Sequence, residues 1–423
     1  MTETLAFAAY LVLPLIGIGV WRLDAVCRLD LPARIAVALA AGTLITGAVM
    51  TLMSIAHVGW SRTMLAVVLG TIAIVGWYVG RASARPGGAG RAEARPTLLF
   101  IGLFALLTIY GLLDARESCG DLHFFWGPKA IRFYRDGGIN IQWLADPNTI
   151  RMNPGYPLLL PLIYAWSHTL AQQFSWWGAV LSSALFLFGA VAVVRSASGD
   201  DRGALLMAAT LSYAFAVAFG GGAAEAPLIL FETLTIVALT LLDSPILAAL
   251  GLAGAAMMKM EGGTFVIAVV IADLVVRRNV KRTAAIAAPA AFLLAAWIGL
   301  IKVYGITEYY RGAAMPVYLA GLPKFFASMA KAASYELWGF PWLVPAVLVA
   351  MGNVRRALFP LLVMLLTLGI AIFFYIHLPN PEWWILSSAP RVLLTPLTAL
   401  LIAAVCAWYS RPAHGVVSQG EEA

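Results

Sequence analysis

The chain has 423 residues, of which 61% are hydrophobic and only 12% are charged, and its mean hydropathy is +0.86. This composition excludes a soluble globular protein and predicts a polytopic membrane protein, since one bilayer crossing needs about 20 apolar residues. The formal net charge of +7 is not concentrated in a basic polar segment with interleaved aromatic residues, so nucleic-acid binding is not expected. The three cysteines are widely separated and indicate neither a disulfide nor a zinc site.

Thirteen apolar runs bounded by charged residues, Gly or Pro predict membrane-spanning helices. They lie at 5–21, 33–56, 62–80, 97–113, 175–194, 203–220, 226–242, 245–258, 262–276, 283–303, 338–352, 357–376 and 390–410. The first run has no basic residues before it, which favours an uncleaved span over a signal peptide. A further apolar stretch, 156–171, is interrupted by Pro157 and Pro161 and is interpreted as a re-entrant or interfacial segment.

The positions of the basic residues predict which side each loop faces. If the linker 81–96 is cytoplasmic, 16 of the 28 Lys and Arg residues lie in short cytoplasmic connections. The N-terminus is then outside and the C-terminus inside. Four regions follow from this arrangement: a four-helix membrane segment, a large outer loop, a transmembrane bundle with outer loops near 304–337 and 377–389, and a cytoplasmic tail, at 1–113, 114–174, 175–410 and 411–423.

The large outer loop is the most polar segment of the chain and contains a predicted short helix. Pro128 suits the first turn of a helix and Gly137-Gly138 suits its end, which predicts a helix at about 128–136. Its cations and aromatic residues are typical of a helix lying in the outer headgroup layer. Asp121, just before this helix at a membrane boundary, would be partly desolvated and could act as a general base, although a lone loop Asp is more often a solvated or capping residue.

The loop also resembles a known enzyme family. The strings GDLHFFWGPKAIRFYRDGG and NPGYPLLLPLIYAW place Asp121, Trp126, Lys129-Ala130, Tyr156-Pro157 and Pro161 in an order similar to that of bacterial membrane glycosyltransferases of the GT-C superfamily. That group includes polyprenyl-phosphate-sugar-dependent protein mannosyltransferases and lipid A aminoarabinose transferases.

Three later segments resemble the same group. They are GGAAEAPLI with Glu225, where the family has Asp; MKMEGG with Lys259 and Glu261; and SSAPRVLLTPL with Arg391. The predicted topology puts all of these segments, together with the first loop, on the outer side.

The resemblance implies an all-α GT-C-like fold and an inverting transfer of a sugar from a polyprenyl-phosphate donor to an acceptor hydroxyl. It implies that Asp121 is the catalytic base. The expected donor-phosphate ligands are Lys129, Lys259 and Arg391, because cations stabilise the charge that grows on the leaving phosphate. The residues expected to support the cleft are Glu117, His123, Trp126, Tyr156, Glu225 and Glu261.

A purely structural role is also open for several of these residues. Lys259 could pair with Glu261 or Glu225, and Arg391 with Glu382 or with lipid headgroups, since an unpaired cation at the end of an apolar helix is costly. Metal ligands could come from Asp121, His123, Glu117 and His377, but no spacing fixes them together. Therefore no metal or other cofactor is expected to be required, apart from the lipid-linked sugar as a substrate.

Two other functions are open. Glu225 and Glu232 lie seven residues apart on one helix face, and a secondary transporter or lipid flippase could use them as coupling carboxylates. An outer-face oligosaccharide polymerase or ligase is the third interpretation. The composition favours a bacterial inner membrane, with membrane lipids, the lipid-linked sugar and a glycan, lipid or protein acceptor as partners.

Overall fold

The computed structural model describes residues 2–82, 119–217, 221–307, 340–376 and 381–409, together with 323, 326, 327 and 330. The structure is 86% helical, and its described residues form no strand. The predicted span at 97–113, most of the outer segment 304–337 and the tail 411–423 lie outside the described residues.

The helices fall into three groups along the chain. The first group comprises α1 Thr2–Ile16, α2 Asp24–Cys27, α3 Leu31–Ile55 and α4 Arg62–Ala82. The segment predicted as the large outer loop contains α5 Gly127–Asp136 and α6 Ile141–Ala145, with a short π-helical turn at Leu122–Trp126 and a short 3₁₀ helix at Pro147–Met152. The remaining helices are α7 Leu159–Ala171, α8 Trp176–Ser198, α9 Asp201–Val217, α10 Glu225–Thr240, α11 Pro245–Met258, α12 Met260–Arg277, α13 Val280–Tyr304, α14 Phe340–Met351, α15 Val354–Ile376, α16 Pro381–Val392 and α17 Leu394–Trp408.

The chain is an all-α membrane protein, as its composition predicts. Among the described residues, five helical segments are long and apolar enough to cross a bilayer by length and composition, namely Glu3–Arg22, Leu31–Ile55, Trp176–Ser198, Val280–Tyr304 and Val354–Ile376. Four shorter apolar helices accompany them. The count of thirteen spans and the sidedness of the loops stay predictions.

Two predicted elements differ from the structure. The stretch 156–171, predicted as a re-entrant or interfacial segment, contains α7, which packs inside the protein along almost its whole length rather than lying on its surface; the re-entrant alternative stays a prediction. Trp166 and Ser167 of α7 donate hydrogen bonds to the backbone carbonyls of Ala9 and Ala6, which fix the helix against α1. The predicted span 390–410 is interrupted at Leu393, where α16 ends and α17 begins.

Helices α1 and α3 approach each other through small residues, as helices in membranes often do. A side-chain methyl group at Gly42 would overlap the carbonyl oxygen of Leu13, and one at Gly17 would overlap that of Ala38. Because α7 and α8 pack on this pair, the N-terminal helices support the central bundle.

Charged residues gather at both ends of helices α10 and α12. Glu225 and Glu261 lie in the first turns of these helices. At the opposite ends, Arg277 contacts Asp243 and Asp273 at 3.2 and 3.0 Å. The 16 and 18 residues of these helices correspond to roughly 24–27 Å of helix, close to the thickness of a bilayer core. The two polar layers are therefore separated by about one membrane thickness.

We expect Gly42→Ala to destabilise the protein by about 1–3 kcal/mol, because the new methyl group must displace the backbone of α1. Thermal unfolding in detergent measures this effect. Gly70→Ala on α4 is the matched control, since a methyl group there meets no atom of the described structure within 4 Å. Equal unfolding temperatures for the two variants would contradict the close approach of α1 and α3.

Candidate active site

Asp121 and Arg391 form an ion pair although they lie far apart in the sequence. Asp121 precedes the single turn Leu122–Trp126, and Arg391 is near the end of α16. Their side chains meet with Arg391 Nη1 at 2.5 Å from Asp121 Oδ2. Asp121 is only 9% exposed, so its carboxylate faces the protein rather than bulk solvent. Arg391 thus pairs with Asp121; the side chain of Glu382, the other partner that the sequence leaves open, lies outside the described structure.

Lys259 joins two glutamates beside this pair. Its Nζ lies 2.7 Å from Glu225 Oε1 and 3.1 Å from Glu261 Oε1. Lys259 has extended backbone angles, φ −157° and ψ 166°, and it separates helices α11 and α12. Gly262 permits this sharp break, because a methyl group there would overlap the carbonyl oxygen of Ala255. The pairing of Lys259 with Glu225 and Glu261, one of the two roles that the sequence leaves open, is confirmed.

Arg391 and the Lys259 cluster line one small cavity, and Asp121 contacts it through its ion pair with Arg391. Its walls are Glu225, Leu228, Ile229, Lys259, Glu261, Arg391, Leu394 and Thr395. The cavity has room for about one water molecule. It therefore forms a charged recess that could receive one small polar group.

Buried carboxylate oxygens remain without a hydrogen-bond partner around this recess. Glu232, which lies about two helical turns after Glu225 on α10, accepts a hydrogen bond of 2.6 Å from Thr395 Oγ1 through its Oε1. The second oxygen of Glu232, and Oε2 of both Glu225 and Glu261, have no partner within the described structure. Unsatisfied buried acceptors are costly, so these atoms call for a donor.

Lys129 forms a separate buried cluster in the outer loop. The helix α5 that carries it begins and ends where the sequence predicts, with Gly137 in the left-handed conformation at φ 65°. However, Lys129 is 0% exposed and does not face lipid headgroups. Its Nζ donates to the Asn153 carbonyl at 2.7 Å and lies 5.1 and 5.8 Å from the ring centroids of Trp126 and Tyr156. Lys129 therefore connects two parts of the loop, and its ammonium is not accessible to a donor phosphate.

The other predicted loop residues lie around these clusters. His123 stacks on Trp176, with ring centroids 4.5 Å apart, and thus packs the loop against the start of α8. Cys119 is buried, and burial raises the pKa of its thiol to about 12, which excludes it as a thiolate nucleophile at neutral pH. Glu117 and His377 lie outside the described residues. Within the described part of the chain, no group of three or more His, Cys, Asp or Glu side chains is arranged to hold a metal ion.

The structure thus brings together Asp121, Arg391, Lys259, Glu225 and Glu261 from four sequence segments. Sequence reasoning did not single out two residues that matter to the geometry. Thr395 follows Arg391 by four residues, but the helix break at Leu393 lies between them, so helical spacing does not predict that both line the recess. Asn153 holds Lys129 through a backbone carbonyl, which no side-chain pattern reveals.

No protein-family model, no curated protein and no solved structure matches this chain.

The burial of Lys129 predicts how the stability of the protein changes with pH. Burial lowers its pKa to about 7, with the nearby Asp121 charge acting in the opposite direction. Lysine in an unfolded chain has a pKa of about 10.4, so between about pH 7 and pH 10 the unfolded state binds more protons and stability rises with pH. The wild-type unfolding temperature should therefore rise across this window relative to that of Lys129→Met. Lys281→Met, at an exposed position, is the control that should follow the wild type. Parallel curves for wild type and Lys129→Met would refute the assignment.

Proposed function

We propose that this protein is an inverting glycosyltransferase that moves a sugar from a polyprenyl-phosphate donor to an acceptor hydroxyl at the extracytoplasmic face of the membrane. The observation that carries the proposal is the ion pair of Asp121 with Arg391 at the recess that Lys259 also lines. Such a site combines a carboxylate that can take a proton with a guanidinium that can bind phosphate. Buried charged side chains cost free energy in a membrane protein, and they usually have a function there.

The proposed reaction is a single displacement. The acceptor hydroxyl oxygen attacks the anomeric carbon, the bond from that carbon to the phosphate oxygen breaks, and the configuration inverts. The hydroxyl proton goes to the Asp121 carboxylate, and the electron pair of the broken bond leaves with the polyprenyl phosphate. Arg391 stabilises the negative charge that develops on this leaving group.

Donor binding would change the partner of Arg391. In the resting structure its Nη1 is held by Asp121, while its Nη2 is 3.5 Å from the Ser387 carbonyl. An arriving phosphate competes for this guanidinium and releases Asp121 Oδ2 to accept the acceptor's proton. Lys259 is already held by two carboxylates, so Arg391 is the proposed main phosphate ligand and Lys259 supplies balancing charge.

The sequence composition and the predicted topology support a proposal for the membrane, the side of the site and the lipid carrier. We propose the bacterial inner membrane, an outward-facing site and an undecaprenyl or decaprenyl phosphate carrier whose tail lies along apolar helices. The acceptor is a glycan, a lipid or a protein.

We expect Asp121→Asn to lower sugar transfer by at least about 100-fold, since general-base catalysis contributes about 10²–10⁴-fold, while donor binding is retained. Purified protein in lipid, supplied with polyprenyl-phosphate sugars, allows both transfer and donor hydrolysis to be measured. Asp136→Asn is the matched control, because Asp136 lies in the same loop and pairs with the exposed Arg132. A fully active Asp121→Asn enzyme would reject the proposed base.

We expect Arg391→Gln to weaken donor binding about tenfold or more, because a charge-assisted hydrogen bond contributes about 1.5–3 kcal/mol. Titration with a polyprenyl phosphate, the reaction product, measures binding without turnover. Arg132→Gln removes an arginine from an exposed ion pair and should bind normally. Unchanged affinity in Arg391→Gln would count against its phosphate role.

A transport function is the second candidate, favoured by one observation. Glu232 is fully buried on α10 and has one oxygen without a partner in the described structure, as a proton-coupling carboxylate would. Glu232→Gln should then abolish proton-coupled uptake of the transported substrate into proteoliposomes. It should leave sugar transfer from a polyprenyl-phosphate donor unchanged. Activity toward diphosphate-linked oligosaccharides alone would instead favour the polymerase or ligase interpretation.

A further inference from the structure

We infer that the transferred sugar carries no negative charge and is bound through hydrogen bonds that it donates to Glu225 and Glu261. This inference rests on the proposed function and adds a substrate class to it. Neutral sugars and sugars with a protonated amine fit this description. Sugars with a carboxylate, such as uronic acids, do not.

The charge balance of the recess is the first argument. Among the described residues, two cations, Arg391 and Lys259, meet three carboxylates, those of Asp121, Glu225 and Glu261. Once the donor phosphate arrives, the negative charges exceed the positive ones further. A second anionic group on the sugar would find both cations already engaged.

The unpaired carboxylate oxygens are the second, independent argument. Glu225 is only 2% exposed, and its Oε2 is buried without a hydrogen-bond partner in the described structure; the same holds for Glu261 Oε2. Both side chains line the recess. An ionised carboxylate can only accept hydrogen bonds, so a ligand at this place must supply N–H or O–H groups. Sugar hydroxyls and ammonium groups are such donors.

The charge balance and the unpaired carboxylate oxygens together predict that the recess discriminates neutral sugars from anionic ones. A hydroxymethyl group beside Glu225 or Glu261 can donate a hydrogen bond. A carboxylate at the same sugar position would place like charges together, at a cost of several kcal/mol. Each 1.4 kcal/mol corresponds to a factor of ten, so we expect at least about a 100-fold preference for the neutral sugar.

The test compares donors that differ only in this group. Each polyprenyl-phosphate hexose is paired with the uronic acid of the same stereochemistry, and kcat/KM for donor hydrolysis and transfer is measured with purified protein in lipid. Wild-type protein should use at least one hexose at least about 100-fold better than its uronic acid. The corresponding amino sugar should be used at least as well as the hexose.

Glu261→Gln tests the residues directly. Glu261 is on the rim of the recess, with its side chain 18% exposed, and glutamine keeps its shape. The substitution removes one negative charge and should reduce the preference for the hexose over its uronic acid about tenfold or more. Asp243→Asn, at the opposite end of α10, removes a charge elsewhere and should leave the preference unchanged. Thermal unfolding of each variant verifies that it is folded.

The outcomes separate the two proposals. Use of a uronic acid as well as or better than its hexose would overturn the inference and leave the glycosyltransferase proposal in place. Use of hexoses with an unchanged preference in Glu261→Gln would overturn the assigned residues. Turnover of no lipid-phosphate sugar would reject the proposed function itself, and the inference with it.

Discussion

The contact between Asp121 and Arg391 is the interaction on which the rest of the site depends. It joins the segment before α5 to helix α16, and it holds that segment beside the recess that Arg391 lines. Burying two charges costs more than an isolated pair usually returns, so stability alone is a weak reason for such a pair. A role in chemistry explains better why the chain places a carboxylate and a guanidinium together at this depth. The neighbouring Lys259 cluster repeats the same pattern.

Much of the architecture follows from local sequence features. Apolar runs predicted the helices, and Pro128 with Gly137 predicted α5 almost to the residue, because fixed proline geometry and a left-handed glycine act within a few residues. The pairing of Lys259 was also predictable as one alternative, since Glu261 lies only two residues away and Glu225 begins a neighbouring helix. These features depend on short-range covalent and steric rules.

Other features could not be predicted because they depend on long-range packing. The amphipathic pattern of α5 is compatible with Lys129 facing headgroups or the loop interior, and only the position of Asn153 decides between them. Similarly, nothing near Arg391 in the sequence indicates that it forms an ion pair with Asp121, which lies 270 residues earlier in the chain. Pro390 and Pro396 flank the break at Leu393, and Pro396 has no N–H to bond the carbonyl of Val392, so the break itself has a local cause. No local pattern shows, however, that Thr395 donates a hydrogen bond to Glu232, 163 residues earlier in the chain.

The most direct test of this account is proximity between the segments that carry Asp121 and Arg391. With Cys27, Cys119 and Cys406 replaced by alanine, the double variant Gly120→Cys with Ser387→Cys keeps the ion pair, because Gly120 is next to Asp121 and has room for a side chain, and Ser387 contacts Arg391. The variant is treated with a thiol cross-linker, and cross-linked peptides are identified by mass spectrometry. The account predicts an efficient intramolecular cross-link for this pair and a weak one or none for Asp136→Cys with Ser387→Cys, at the far end of α5. Absence of the first cross-link, or equal yields from both pairs, would contradict the assembled site.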